Sequence, residues 1–281
     1  MYSAKFDYVR ANTVAEAVAL LRDLDNARLM AGGHSLIPAM KLRLDEPGTL
    51  IDISRIGELK GIQAQNGNVR IGALTTHAEI ARSTLVPDGL REAAGMVGDP
   101  QVRNRGTIGG NVAHADPASD LPTILNALGA TFFLSSAAGA RSVAASDFFK
   151  GLFETAKKDG EVLVAVEVPS AGASAYEKMG NPASRYCMVG AGVCLTASNG
   201  VCTAARVAVG GLTPCTIRCP SVEAALVGKP LQAAVFAAAS QAAVGDLKGD
   251  LMGDIHGSSE YRKAMLSVYV QRALVKAAGR I

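Results

Sequence analysis

Residues 101–122, QVRNRGTIGGNVAHADPASDLP, put a glycine-rich loop, Arg105-Gly106-Thr107-Ile108-Gly109-Gly110-Asn111, ahead of a proline- and aspartate-rich segment. A second loop of the same texture lies upstream at Ala31-Gly32-Gly33-His34-Ser35, followed by Leu36. Consecutive glycines allow positive φ and leave no Cβ between a ligand and the backbone N–H groups, so neutral chain can cradle a pyrophosphate. Ser35, Thr107 and Asn111 add side-chain donors at the same places. A single GG pair reads as turn punctuation; two pairs flanked by hydroxyls point to a ligand site. Between them and the next helix, Asp116 and Asp120 can cap that helix or accept from ribose hydroxyls.

The elements around these loops alternate. Thr13 and Glu16 form a T-x-x-E capping box ahead of Val14, Ala17, Val18, Leu21 and Leu24, an amphipathic helix. Apolar pieces at 28–31 and 49–53 complete a small α/β unit. Beyond Gly61 come a strand at 68–73, helices at 76–83 and 90–97, a helix at 122–128 closed by Gly129, and strands at 131–135 and 161–168. A Pro/Gly/Ser/Ala-rich boundary at 169–174 ends this second unit. The last third opens with a hairpin, 188–197 and 201–209 around Asn199-Gly200, and closes with two or three helices, the last at 260–278. The expected division is 1–58, 59–174 and 175–281.

Composition narrows the function. The 281 residues are 49% hydrophobic and 19% charged with a mean hydropathy of +0.21, which excludes disorder. A net charge of +3, from 28 basic and 25 acidic residues without a basic run, argues against nucleic acid. No apolar run reaches membrane-spanning length, and the N-terminus lacks a cationic start followed by an apolar core, so the cytoplasm is the expected compartment. The five cysteines are odd in number, lack a C-x-x-C pair and read as small buried hydrophobes. G-x-G-x-x-G, the P-loop, H-E-x-x-H and G-x-S-x-G are all missing, and the four histidines are scattered.

AGGHSLIPAMKLRL (31–44), GALTTH (72–77), the 101–122 stretch and DFFKGLFETA (147–156), in this order and spacing, resemble the FAD-binding medium subunit of the molybdenum hydroxylases. That family includes xanthine dehydrogenase, aldehyde oxidase, carbon monoxide dehydrogenase and quinoline oxidoreductase-like enzymes. The resemblance continues through 176–190 and DIHGSSEYRKAM, over essentially the whole chain. It implies an α+β protein: a two-subdomain FAD-binding fold of the vanillyl-alcohol-oxidase (PCMH) type, then a C-terminal domain with an antiparallel sheet and helices. It also implies that Ala31, Gly32, Gly33, His34, Ser35 and Leu36 grip the FAD pyrophosphate together with Thr107, Ile108, Gly109, Gly110 and Asn111. Asp120 is the implied nucleotide contact, and Leu163 and Lys178 occupy positions that touch FAD in relatives. Tyr186 matches a tyrosine placed against the flavin ring, although Ser184-Arg185-Tyr186 departs from the G-D-Y of many relatives. Thr76 and His77 lie in a segment that approaches the flavin, and His77 fits a surface helix position equally well.

The implied activity is electron transfer within an oxidoreductase. A large subunit holds the molybdenum cofactor, a small subunit holds 2Fe-2S clusters, and this chain passes electrons through FAD to an external acceptor. The expected assembly is a dimer of heterotrimers. No acid, base or nucleophile of this chain is required, which agrees with the empty motif search. Two alternatives stand beside it: a stand-alone FAD oxidoreductase on the same fold, and an interaction protein that has lost FAD.

Overall fold

The computed structural model describes residues 2–281. The chain begins with β1 (Asp7–Arg10), α1 (Val14–Asp23), β2 (Ala27–Met30), α2 (Leu36–Lys41) and β3 (Thr49–Asp52). β3 runs parallel to both other strands in the order β1-β3-β2, and its Leu50 and Ile51 are buried. At the start of α1 the Thr13 side chain accepts from Glu16 N–H at 3.1 Å. The Glu16 carboxylate returns to Asn12 N–H at 2.7 Å, one residue earlier than a reciprocal box requires.

β4 (Ile62–Gln65), β5 (Asn68–Gly72), α3 (His77–Arg82), α4 (Asp88–Met96), α5 (Pro100–Arg103), α6 (Ile108–His114) and α7 (Leu121–Leu128) follow. Then come β6 (Thr131–Ser136), β7 (Gly139–Ala144), α8 (Ala145–Phe148), the small β8 (Phe149–Gly151) and β9 (Glu154–Thr155), and β10 (Val162–Pro169). Five strands form an antiparallel sheet in the order β4-β5-β10-β6-β7. β10 divides two cores. Its Val162 and Val164 meet Ala17, Val18, Ile51 and Leu74, and its Leu163, Val166 and Val168 join Ile108, Leu121, Ile124 and Phe132 on the other side. Pleating sends alternate side chains to opposite faces, and a register shift between Leu163 and Ala165 sets the phase. The edge strands β4 and β7 carry few apolar residues, so hydrophobic alternation leaves β7 unread and gives β4 no bounds within the short strands expected beyond Gly61.

The last third holds β11 (Ala173–Gly180), β12 (Cys187–Ser198), β13 (Val201–Gly210), β14 (Ile217–Arg218), α9 (Pro220–Leu226), α10 (Ala233–Gln241) and α11 (Ser259–Ala278). The sheet is antiparallel in the order β11-β12-β13-β14. β11 begins inside the segment read from sequence as a boundary, so the connection from β10 is only three residues long. β12 is buried from Cys187 to Leu195 because α7 packs on one face and α11 on the other. Asn199 (φ 52°) and Gly200 (φ 75°) make the tight hairpin turn that the dipeptide predicts. Four of the five free cysteines are buried, Cys215 being intermediate. No helix among the described residues is long and apolar enough to cross a membrane.

Candidate functional site

Three segments separated in sequence meet along one seam: residues 31–36 from the end of β2 into α2, residues 72–77 from the end of β5 to the start of α3, and residues 105–111 from the end of α5 into the first turn of α6, which Thr107 caps. Hydrogen bonds join the second and third. His77 N–H donates to Gly106 O at 3.0 Å, Ile108 N–H to Thr75 O at 3.0 Å and Gly109 N–H to Ala73 O at 2.8 Å. Thr76 and Thr107 face each other in an isolated antiparallel bridge. The first loop closes on the third by contact, since a Cβ on Gly32 would lie 1.9 Å from Arg105 O. Glycine is therefore required at residue 32 by close approach and at Gly33 by a φ of +73°.

The two loops treat their N–H groups differently. Among the described residues, no group accepts from the backbone N–H of Gly32, Gly33, His34 or Ser35. His34 and Ser35 are exposed, and His34 Nδ1 lies 3.1 Å from Gly32 O. In the other loop, Ile108 and Gly109 donate as above, Gly110 N–H donates to Thr107 Oγ1 at 3.2 Å, and Asn111 N–H to Thr107 O at 3.0 Å. Ile108 and Gly109 are buried; Gly110 is exposed beside Ala31. The Thr107 hydroxyl accepts from Gly110 and keeps its own proton to donate. Asn111 Oδ1 accepts from Ser119 at 2.8 Å, tying the loop to the 116–120 segment.

Thr76 begins α3 with a full capping box: Glu79 N–H donates to Thr76 Oγ1 at 3.2 Å, and Thr76 N–H donates to the Glu79 carboxylate at 2.7 Å. His77 follows and is only 2% exposed, which excludes the surface helix position. Its Nδ1 is buried without a partner. Burial, with smaller contributions from His34 and Arg103 nearby, pushes its pKa down to about 4, so the ring is neutral at physiological pH.

Asp120 is the N-cap residue of α7, yet its carboxylate makes no cap. It is turned inward, 5% exposed, accepting from Tyr176 Oη–H at 2.9 Å and from Lys178 Nζ at 3.0 Å. Burial raises its pKa, with the Lys178 ammonium and the Tyr176 hydroxyl holding it back. Asp116 takes the local role instead, its Oδ1 accepting from Ala118 N–H at 2.9 Å. Leu163 is buried on β10, whose Val164 O accepts from Ala73 N–H next to Gly109. Tyr186, half exposed, directly precedes β12; burial and Asp116 raise its pKa. Tyr176 and Thr75 were not singled out from sequence. Tyr176 lies two residues before Lys178 on β11, on the same face, and that period-2 relation is its only signal. The Thr75 hydroxyl pins Gly61 through both N–H and C=O, and nothing local announces it.

A pyrophosphate fits this seam: among the described residues four neighbouring N–H groups lack acceptors, two of them on glycines, and the Thr107 hydroxyl of the adjoining segment keeps a proton to donate. The α+β fold and this neutral two-loop grip define a dinucleotide-binding flavoprotein chain. The chain belongs to the family of FAD-binding medium subunits of the molybdenum hydroxylases. Residues 4–171 match the FAD binding domain in molybdopterin dehydrogenase, and residues 174–277 match the CO dehydrogenase flavoprotein C-terminal domain. The chain is 38% identical to the carbon monoxide dehydrogenase medium chain of Afipia carboxidovorans, over 100% of this chain and 99% of the relative. It is 37% identical to the glyceraldehyde dehydrogenase medium chain of Sulfolobus acidocaldarius, over 99% and 100%. Among solved structures it is similar to carbon monoxide dehydrogenase from Hydrogenophaga pseudoflava lacking the Mo-pyranopterin moiety of the molybdenum cofactor. That match has a TM-score of 0.94 and 40% identity, and covers 100% of this chain and 99% of the other. The chain is thus an FAD-binding oxidoreductase subunit, and its relatives are medium chains of multi-subunit enzymes.

Proposed function

We propose that the chain is the flavin station of a molybdenum-containing hydroxylase or dehydrogenase. It stands between 2Fe-2S clusters on a small partner subunit and an external acceptor, and a large subunit carries the molybdenum cofactor and chooses the substrate. The observation that carries this reading is the row of N–H groups at residues 32–35, which have no acceptor among the described residues and which begin where Gly32 closes on Arg105 and Gly106. Bound FAD supplies one- and two-electron exchange. The chain's own residues bind and orient. Ala31 to Leu36 hold the pyrophosphate with their N–H groups, and Thr107, Gly110 and Asn111 bound it from the other side, with Ile108 and Gly109 packed behind. Thr76 and His77 form the seam beneath, Leu163 and the Asp120–Lys178 pair complete the buried wall, and Tyr186 is the aromatic group offered to the ring. No proton donor of this chain takes part.

The proposed assembly is a dimer of heterotrimers in the cytoplasm. The proposed division of the chain is 1–58, 59–174 and 175–281; the third unit has a hydrophobic cluster of its own, while Leu59, Leu74 and Val162 join the cluster of the first unit and Tyr176, Cys194 and Ala208 join that of the second. The test is an absorption spectrum with iron and molybdenum analysis of the protein purified with its partners. FAD, iron and molybdenum with two further chains are expected. Flavin in a lone chain without metals overturns the reading in favour of a stand-alone flavoenzyme. Gly33→Val and Gly110→Val, checked for folding by circular dichroism, are expected to lose FAD; wild-type flavin in both sinks the site assignment.

A further inference from the structure

Lys178 has a coordination that a ligand contact does not explain. Its ammonium carries three N–H groups, and three acceptors surround it: Met96 O at 2.9 Å, the Asp120 carboxylate at 3.0 Å and Arg185 O at 2.8 Å. The side chain is 8% exposed. Met96 ends α4 and Asp120 starts α7, while Arg185 precedes Tyr186 in the connection between β11 and β12. One buried cation therefore fastens two helix ends to the turn that carries Tyr186.

The turn is built to need that fastening. Arg185 sits at a φ of +59°, a left-handed conformation that a long side chain rarely adopts. Asn181 organises the rest: its Oδ1 accepts from Ala183 N–H at 2.9 Å and Ser184 N–H at 3.0 Å, its carbonyl accepts from Arg185 N–H at 2.9 Å, and its N–H donates to Tyr186 O at 2.8 Å. These bonds lie within the turn and set its shape. Lys178 to Arg185 O and Cys187 N–H to Ala118 O, at 3.0 Å, set where the turn sits on the FAD-binding half, joined by an exposed ion pair of Arg185 with Asp99 at 3.7 Å. Tyr176, hydrogen-bonded to Asp120, aims the carboxylate at Lys178. Strained backbone persists where surrounding structure over-determines it, and such places cluster at ligand clamps.

We propose that Lys178 is a positioning residue: with every N–H used inside the protein, it acts through Arg185 to hold Tyr186 at the flavin site, whatever part its side chain takes in the wall around the cofactor. This rests on the reading of that site given above. The test uses Lys178→Met, and Lys178→Met with Asp120→Asn so that no unpaired buried carboxylate remains to unfold the chain. Amide hydrogen exchange of the purified complex is followed by mass spectrometry over residues 181–186 and over α11. Exchange in the turn is expected to quicken at least about tenfold in both variants, with α11 unchanged. Unaltered protection of the turn in the double variant overturns the proposal. That readout needs no flavin, so it stands even where the cofactor assignment fails. A second readout separates acting through Tyr186 from direct contact: the visible circular dichroism of the flavin is compared for Lys178→Met in the wild-type and Tyr186→Ala backgrounds. A change present in the first and lost in the second is expected, and a change of equal size in both overturns it.

Discussion

The loop at 31–36 and the loop at 105–111 share a Gly-Gly pair with neighbouring hydroxyl or amide side chains, yet the fold uses them in opposite ways. The first leaves four consecutive N–H groups without acceptors, whereas the second gives the N–H groups of Ile108 to Asn111 to Thr75, Ala73 and Thr107. The first therefore has donors to offer a ligand. The second is structural along its inner side, where Gly109 touches Ala73, and offers a ligand only its outer edge at Gly110 and the Thr107 hydroxyl. A glycine pair thus serves two purposes, backbone access and close packing, and only the surroundings decide which.

Gly32→Ala is expected to disturb the paired loops most. The new methyl would lie 1.9 Å from Arg105 O, so the two loops must part. A loss of about 3 kcal/mol in urea unfolding is expected, together with loss of flavin; a fully stable, yellow variant would mean that the loops do not touch.

Next in size is the seam itself, read through His77. Its pKa of about 4 in the folded state lies below the ordinary 6.5, so between those values the unfolded chain takes up a proton that the folded chain refuses. Stability is full above about pH 6.5 and falls as the pH drops towards 4, by about 3 kcal/mol for a site so buried. His77→Phe is expected to flatten that acid limb. An unchanged slope between pH 6.5 and 4 in urea titrations would show that another group supplies it.

Two smaller effects sharpen the contrast. Gly109→Ala puts a methyl 2.5 Å from the Ala73 Cβ, so a cost of about 2 kcal/mol is expected by thermal unfolding. The molecules that remain folded should keep their FAD. Gly33→Ala meets only the flexible side chains of Ile37 and Met30 but must adopt a φ of +73°, at a cost of about 1 kcal/mol. Its flavin content should nonetheless fall further than that of Gly109→Ala. The reverse ranking of flavin retention would reverse the roles given to the two loops.

Much of the fold was legible in the chain because its signals are local. Asn199-Gly200 dictated the hairpin, Gly129 at φ 69° closed α7, and Thr13 with Glu16 marked α1. The strand β7 was not legible, and β4 was legible only as part of a stretch of short strands beyond Gly61 without bounds of its own, because at the edges of the sheet they need no apolar run. Nor was the Thr76–Glu79 capping box noticed, although its spacing is the same as that of Thr13 and Glu16. In the site, the glycines and hydroxyls announced themselves. The burial of His77 did not, because its neighbour Gly106 lies 29 positions away and covers the ring only after folding.

The order of residue types along the chain was enough to say which residues could turn, cap, bury or approach a ligand, and with them the α+β order and the two candidate loops, because those properties act at short spacing. Which N–H groups find an acceptor was settled by folding, since Ala73, Thr75 and Thr107 take those of 108–111 and, among the described residues, nothing reaches those of 32–35. Folding likewise decided that Asp120 and Lys178 pair with each other across 58 positions in the interior. Acceptors and counter-charges come from distant parts of the chain, and burial removes the water that would otherwise satisfy them.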